Sequence, residues 1–127
     1  MQEQSVFRII YLLCIGGLLL HLKTALIESS GPVDSFTLGL FSISIFPYLM
    51  ILFLRKKYYG SLCAAIGVFV IDLFFHLDAF VFPSSSTAAL GLLFIPFFNT
   101  LVVIPLSFLF SYFVKKDKSG KIDPLDQ

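Results

Sequence analysis

The fold is decided by residues 61–82, SLCAAIGVFVIDLFFHLDAFVF, an apolar run in which Asp72, His76 and Asp78 are the ionisable side chains. A helix rises about 1.5 Å per residue, so about 20 apolar residues cross the hydrocarbon layer of a bilayer. The run is long enough for one crossing, and we predict a transmembrane helix here. Ionisable groups inside such a helix are costly, so Asp72 and His76 need a structural or functional reason.

The composition of the whole chain points to the same class of protein. Of the 127 residues, 57% are hydrophobic and 13% are charged, and the mean hydropathy is +0.93. A soluble domain has about 25% charged residues, so this chain has too little polar surface for water. Three further apolar runs of spanning length lie at 6–27, 36–54 and 88–114. The sequence therefore predicts an all-α polytopic membrane protein with four transmembrane helices in an up-down-up-down bundle.

Basic residues are segregated along the chain and predict its orientation. Eight of the nine Lys and Arg residues flank the same ends of the predicted spans: Arg8, Arg55, Lys56, Lys57, Lys115, Lys116, Lys118 and Lys121. Cytoplasmic loops are enriched in Lys and Arg, so both termini are expected in the cytoplasm of a multi-pass protein, here in a bacterial inner membrane. Because the basic clusters abut hydrophobic spans, they are interpreted as topology signals, and no nucleic acid is expected as a partner.

The predicted domains are a membrane domain, residues 1–114, and a polar cytoplasmic tail, residues 115–127. The tail contains Gly120 and Pro124 and is expected to lack regular structure. Within the fourth span, Pro96 and Pro105 predict a kinked, tilted or locally broken helix, because proline has no N–H to donate.

Sequence signatures of known enzyme classes are missing from the chain. It has no G-x-S-x-G, no P-loop, no H-E-x-x-H and no dinucleotide-binding glycine pattern. Cys14 and Cys63 do not form a C-x-x-C pair, so a thiol-redox enzyme is poorly supported. No catalytic residue is predicted.

Helical spacing gathers polar residues on inward-facing stripes of the first and third spans. Residues three or four apart share a face, which places Asp72 with His76, and His21 with small residues of the first span. Both histidines are expected about 22 Å along their helices, and therefore level with each other. With the fourth span and the outer end of the first, the predicted intramembrane cluster is His21, Asp72, His76, Asn99 and Glu28.

Two further charged residues lie off these stripes. Lys23 and Asp78 fall slightly outside the histidines and point well away from them by helix geometry. They are predicted to pair with each other or to extend to the outer interface.

Three interpretations of the predicted cluster remain open. The first is a structural network, in which Asp72 and His76 hydrogen-bond and His21 or Asn99 completes the set. The second is a proton or cation relay, since His titrates near neutrality. In the third, His21, His76 and Asp72 hold a divalent metal, or the histidines hold haem, although no cofactor is predicted from the sequence.

The functional hypothesis is a small, non-catalytic integral membrane protein that serves as an accessory, assembly or partner-binding subunit. Its expected partners are the lipid bilayer and another membrane protein, or a second copy of itself. The alternative is a proton or cation relay, or a metal- or haem-binding membrane protein, that uses the His/Asp cluster.

Overall fold

The computed structural model describes residues 3–28, 32, 34–82 and 88–119. Within these residues lie five α-helices: α1 (Glu3–Lys23), α2 (Ser35–Phe53), α3 (Tyr58–Phe80), α4 (Ala88–Phe98) and α5 (Ile104–Ser119). Two π-helical segments complete the pattern: Thr24–Glu28 continues α1, and Asn99–Val103 joins α4 to α5. Helices α4 and α5 thus form one long element.

The prediction of an all-α, four-span bundle is confirmed. In the part of the chain that the structure describes, the helices long and apolar enough to cross a membrane are Glu3–Ile27, Ser35–Phe53, Tyr59–Phe80 and Leu90–Lys116. Helix α5 runs on to Ser119, so the first five residues of the predicted tail are helical. Residues 120–127, including Gly120, Lys121 and Pro124, lie outside the described residues.

Local hydrogen bonds define the start of α2 and stabilise the turn between α2 and α3. The Asp34 carboxylate accepts bonds from the Thr37 backbone N–H at 2.8 Å and from its hydroxyl at 2.9 Å, an N-cap arrangement. These bonds lower the pKa of Asp34 below its usual value, because they favour the ionised form. At the other end, the Ser61 hydroxyl donates to the Leu54 carbonyl at 2.8 Å across the α2–α3 turn.

That turn marks one end of the bundle, called here the basic end, which carries Arg8, Arg55, Lys56, Lys57, Lys115 and Lys116. The Arg55 guanidinium donates to the Tyr11 hydroxyl, and its central carbon lies 5.9 Å from the centre of the Tyr11 ring. Helix α1 therefore starts at the same end as α3. The opposite end, where α2 begins, is called the pocket end.

Helix α3 is the centre of the bundle, because it packs against every other helix. The buried apolar core surrounds its first half, between Asp72 and the basic end. Its members are Val6, Ile10, Cys14, Tyr48, Ile51, Ala64, Ala65, Val68 and Ile104. The polar buried residues lie mainly beyond this core, toward the pocket end.

The outer surface of the bundle is apolar. Leu12, Phe53, Phe94 and Leu101 are between 69% and 86% exposed, and many other large apolar side chains face outward. Soluble monomers rarely expose such extended apolar surface, whereas hydrocarbon is its natural solvent. The protein is therefore a small multi-pass membrane protein.

The π-helical segment Asn99–Val103 is the local break expected between Pro96 and Pro105. The Pro105 ring removes one backbone donor, so the regular hydrogen-bond pattern cannot continue through this turn. The Thr100 hydroxyl donates to the Pro96 carbonyl at 2.8 Å. Such wide turns are frequent at functional sites, and this one begins at the buried residue Asn99.

Candidate functional site

Asp72 of α3 is the centre of a buried hydrogen-bond network that joins three other elements. Its Oδ2 accepts a bond from the Tyr48 hydroxyl at 2.6 Å and lies 2.9 Å from His21 Nε2. Its Oδ1 accepts a bond from Asn99 Nδ2 at 2.7 Å. When the carboxylate is ionised it only accepts, and Nε2 of His21 then carries the hydrogen. The network ties α1, α2 and the π-helical segment to the central helix.

His76 forms a second contact with α1, one turn closer to the pocket end. Its Nδ1 lies 3.2 Å from the Thr24 hydroxyl oxygen. That hydroxyl donates its single hydrogen to the Leu20 carbonyl at 3.1 Å, so His76 Nδ1–H is the donor to Thr24. The His76 ring also lies 4.9 Å from the Phe80 ring, centre to centre.

The structure brings His21, Asp72 and Asn99 to hydrogen-bond distance and places His76 beside them. The residue count suggested that the two histidines are level with each other, but in the structure they are not. His21 is opposite Asp72 and His76 is opposite Thr24, so the histidines are offset by about one turn. The offset arises because α1 is displaced along its axis relative to α3, and a residue count along each helix does not reveal that displacement.

Other predicted residues lie outside this network. The side chain of Glu28, like that of Lys118, is not among the parts of the chain that the structure describes. Lys23 is exposed and Asp78 is half-buried, and neither contributes to the bonds around Asp72. Their pairing with each other stays a prediction.

Tyr48 is the network residue that the sequence analysis missed. It is 2% exposed and reaches Asp72 from α2 because Gly17 of α1 leaves room for its ring. A Cβ at Gly17 would lie only 2.1 Å from Tyr48 Cζ. The sequence did hold a signal for this residue: a tyrosine inside an apolar span, together with the predicted stripe of small residues on the first span.

A cavity of about 700 Å³ opens beside the network, between α2 and α4, toward the pocket end. Its polar wall consists of His21, Thr24, Asp72 and His76. Its other walls are mainly apolar side chains of α2 and α4, with Asp34 and Thr37 near the start of α2. Ser44, which also lines it, is nine residues beyond Ser35, so the cavity extends about 14 Å along α2.

The polar wall is poorly suited to a metal ion. Among the residues described, no three His, Cys, Asp or Glu side chains are grouped so that they could hold one. His21 Nε2 and both oxygens of Asp72 already take part in hydrogen bonds within the protein. The trio of His21, His76 and Asp72 therefore gains no support as a metal centre.

The network and the cavity together form a site that can bind a hydrogen-bond donor. An ionised carboxylate has about four acceptor positions, and Asp72 uses three of them, two on Oδ2 and one on Oδ1. Asp72 also lines the cavity, so this carboxylate is the acceptor of the polar wall that lies nearest to a bound molecule's donor. Comparisons with protein-family models, curated proteins and solved structures find no match for this chain.

Proposed function

We propose that the protein is a non-catalytic accessory protein that binds an amphiphilic partner within the membrane. The supporting observation is the cavity between α2 and α4, whose apolar walls meet a polar wall built around Asp72. Its volume of about 700 Å³ lies within the range of small-molecule sites. The apolar part of the partner would contact Phe and Leu side chains, while its head group would contact the polar wall.

A relay across the membrane, the alternative function, has weaker support. Between Asp72 and the basic end, the buried positions of α1 are Val6, Ile10, Cys14 and Gly17. Those of α3 are Gly60, Ser61, Ala64, Ala65 and Val68, and the Ser61 hydroxyl donates to the Leu54 carbonyl. A proton path needs a chain of titratable groups or waters, and the buried side chains in this half of the bundle are mainly apolar. The arrangement favours binding from one side over conduction.

Orientation and location form part of the same proposal. We propose that the basic end faces the cytoplasm of a bacterial inner membrane, because cytoplasmic loops carry an excess of Lys and Arg. The cavity would then open toward the opposite face. Association with another membrane protein, or with a second copy of the chain, remains a prediction.

Compartment reporters test the proposed orientation. Reporters fused to either end are expected to signal the cytoplasm, and one inserted at Pro32 is expected to signal the opposite side. The physical reason is the eight basic residues on one side. Replacement of Arg55, Lys56 and Lys57 by Ala should weaken this bias. End reporters in opposite compartments would refute the orientation and the even number of crossings.

A pair of serine substitutions on α2 tests the binding function. Ser44 lines the cavity, whereas Ser42 is exposed and donates to the Leu38 carbonyl at 2.8 Å. Ser44→Phe is expected to fill the cavity and lower the amount of co-purifying amphiphile by about tenfold, equivalent to about 1.4 kcal/mol. Ser42→Phe should leave it unchanged.

Native mass spectrometry of protein released from lipid nanodiscs measures this difference directly. Both variants add the same aromatic ring to the same helix, so changes in expression or helix stability should be similar. If the two variants retain equal amounts of bound amphiphile, the cavity is not the binding site.

A further inference from the structure

We propose that the molecule held in the cavity carries a positively charged ammonium group that donates hydrogen bonds. This inference rests on the proposed function and adds the chemical class of the ligand. Among the described residues that line the cavity, Asp34 and Asp72 are acidic, His21 and His76 are histidines, and none is Lys or Arg. A cleft that has carboxylates, no Lys or Arg and low-dielectric walls favours cations.

The two carboxylates stand at different depths of the cavity. Asp34 caps α2 at the pocket end, and its two hydrogen bonds from Thr37 lower its pKa, so it is ionised at neutral pH. Asp72 is 2% exposed and belongs to the polar wall. An ammonium group would therefore meet one carboxylate on entry and another where it is held.

The hydrogen bonds already made by Asp72 decide which head group fits beside it. Tyr48 and His21 occupy Oδ2, while Asn99 occupies one position on Oδ1. The remaining position on Oδ1 is an acceptor, so it suits an N–H of the ligand. A head group with acceptors alone would be opposed by this carboxylate.

Aromatic rings strengthen the case for a cation. Five phenylalanines line the cavity: Phe36, Phe41, Phe80, Phe94 and Phe97. The face of an aromatic ring attracts a cation within about 6 Å of its centre, and desolvation strengthens the attraction. The same rings would also contact an alkyl chain, so one lining serves both parts of an ammonium amphiphile.

The test compares two probes that share a chain and differ in the head group: dodecylammonium and dodecanol. Binding is measured to the full chain in phosphatidylcholine nanodiscs, with binding to empty discs subtracted. The native protein is expected to bind dodecylammonium at least about tenfold more tightly, as a desolvated charge-assisted hydrogen bond allows.

Two acidic substitutions locate the origin of this preference. Asp34→Asn and Asp72→Asn are each expected to reduce the preference for dodecylammonium severalfold. Asp78→Asn is the matched control, because Asp78 is a half-buried carboxylate of α3 that is not among the lining residues. It should leave the ratio unchanged.

Phe41→Leu keeps the proposal testable if the Asp72 variant does not fold. The substitution retains an apolar wall but removes a ring face, so dodecylammonium should bind about two- to fivefold more weakly. Dodecanol binding should change less.

The outcomes separate the inference from the proposed function. If the native protein binds neither probe, both are overturned. If it binds both equally and Ser44→Phe blocks both, the binding function stands and the ammonium specificity is wrong. A preference that persists in Asp34→Asn, Phe41→Leu and every folded Asp72 variant also overturns the specificity.

Discussion

Asp72→Leu is expected to destabilise the bundle strongly. It removes the shared acceptor of Tyr48, His21 and Asn99 while all three remain in the interior. Single polar contacts in membrane proteins contribute about 0.6 kcal/mol on average and up to about 1.7 kcal/mol, so three should contribute about 2–5 kcal/mol. Unfolding by SDS in mixed micelles measures the change in the free energy of unfolding.

Asp78→Leu is the matched control for this measurement. It makes the same chemical change on the same helix, at a half-buried position outside the network. The expected loss is smaller than for Asp72→Leu, because Asp78 takes no part in the bonds around Asp72. Equal losses in the two variants would contradict the central position of Asp72.

Gly17→Ala is also expected to destabilise the bundle, although it adds only one methyl group. The new Cβ would lie 2.1 Å from Tyr48 Cζ and 2.5 Å from the Tyr48 hydroxyl oxygen. The ring must therefore move, and its bond to Asp72 must lengthen or break. Overpacking of this kind costs about 1–3 kcal/mol, measured by the same SDS titration.

Two further variants separate this contact from a general effect of alanine. At Gly39 of α2, nothing lies within 4 Å of an added Cβ, so Gly39→Ala should stabilise its helix by up to about 1 kcal/mol. In a Tyr48→Leu background, Gly17→Ala should cost much less than in the native protein. Equal costs in both backgrounds would show that Tyr48 is not what restricts position 17.

The four crossings were predictable because the mean hydropathy of a segment depends only on its own residues and not on how the segments pack. The predicted third span, residues 61–82, compares with Tyr58–Phe80 in the structure. The gathering of polar residues on inward faces also follows from local spacing. What spacing cannot supply is the identity of the neighbouring helix, its stagger or its distance.

Tyr48 shows the limit most clearly. Its hydroxyl reaches Asp72 because α1 and α2 approach closely at Gly17, a property of two segments together. The offset between His21 and His76 has the same origin, since it depends on how far α1 is displaced along α3. The cavity likewise exists only because α2 and α4 are neighbours.

The π-helical segment Asn99–Val103 changes the direction in which the α5 side chains point, around the helix axis, relative to those of α4. A regular helix turns about 100° per residue, so one extra residue in a turn rotates everything after it by about that angle. A helical wheel drawn without interruption from Ala88 would therefore place the α5 side chains on the wrong face of the helix. Beyond the segment, Ile104 is buried and Phe108 occupies the space beside Gly60. Which side of α5 meets lipid is thus decided by the number of residues in the segment before it.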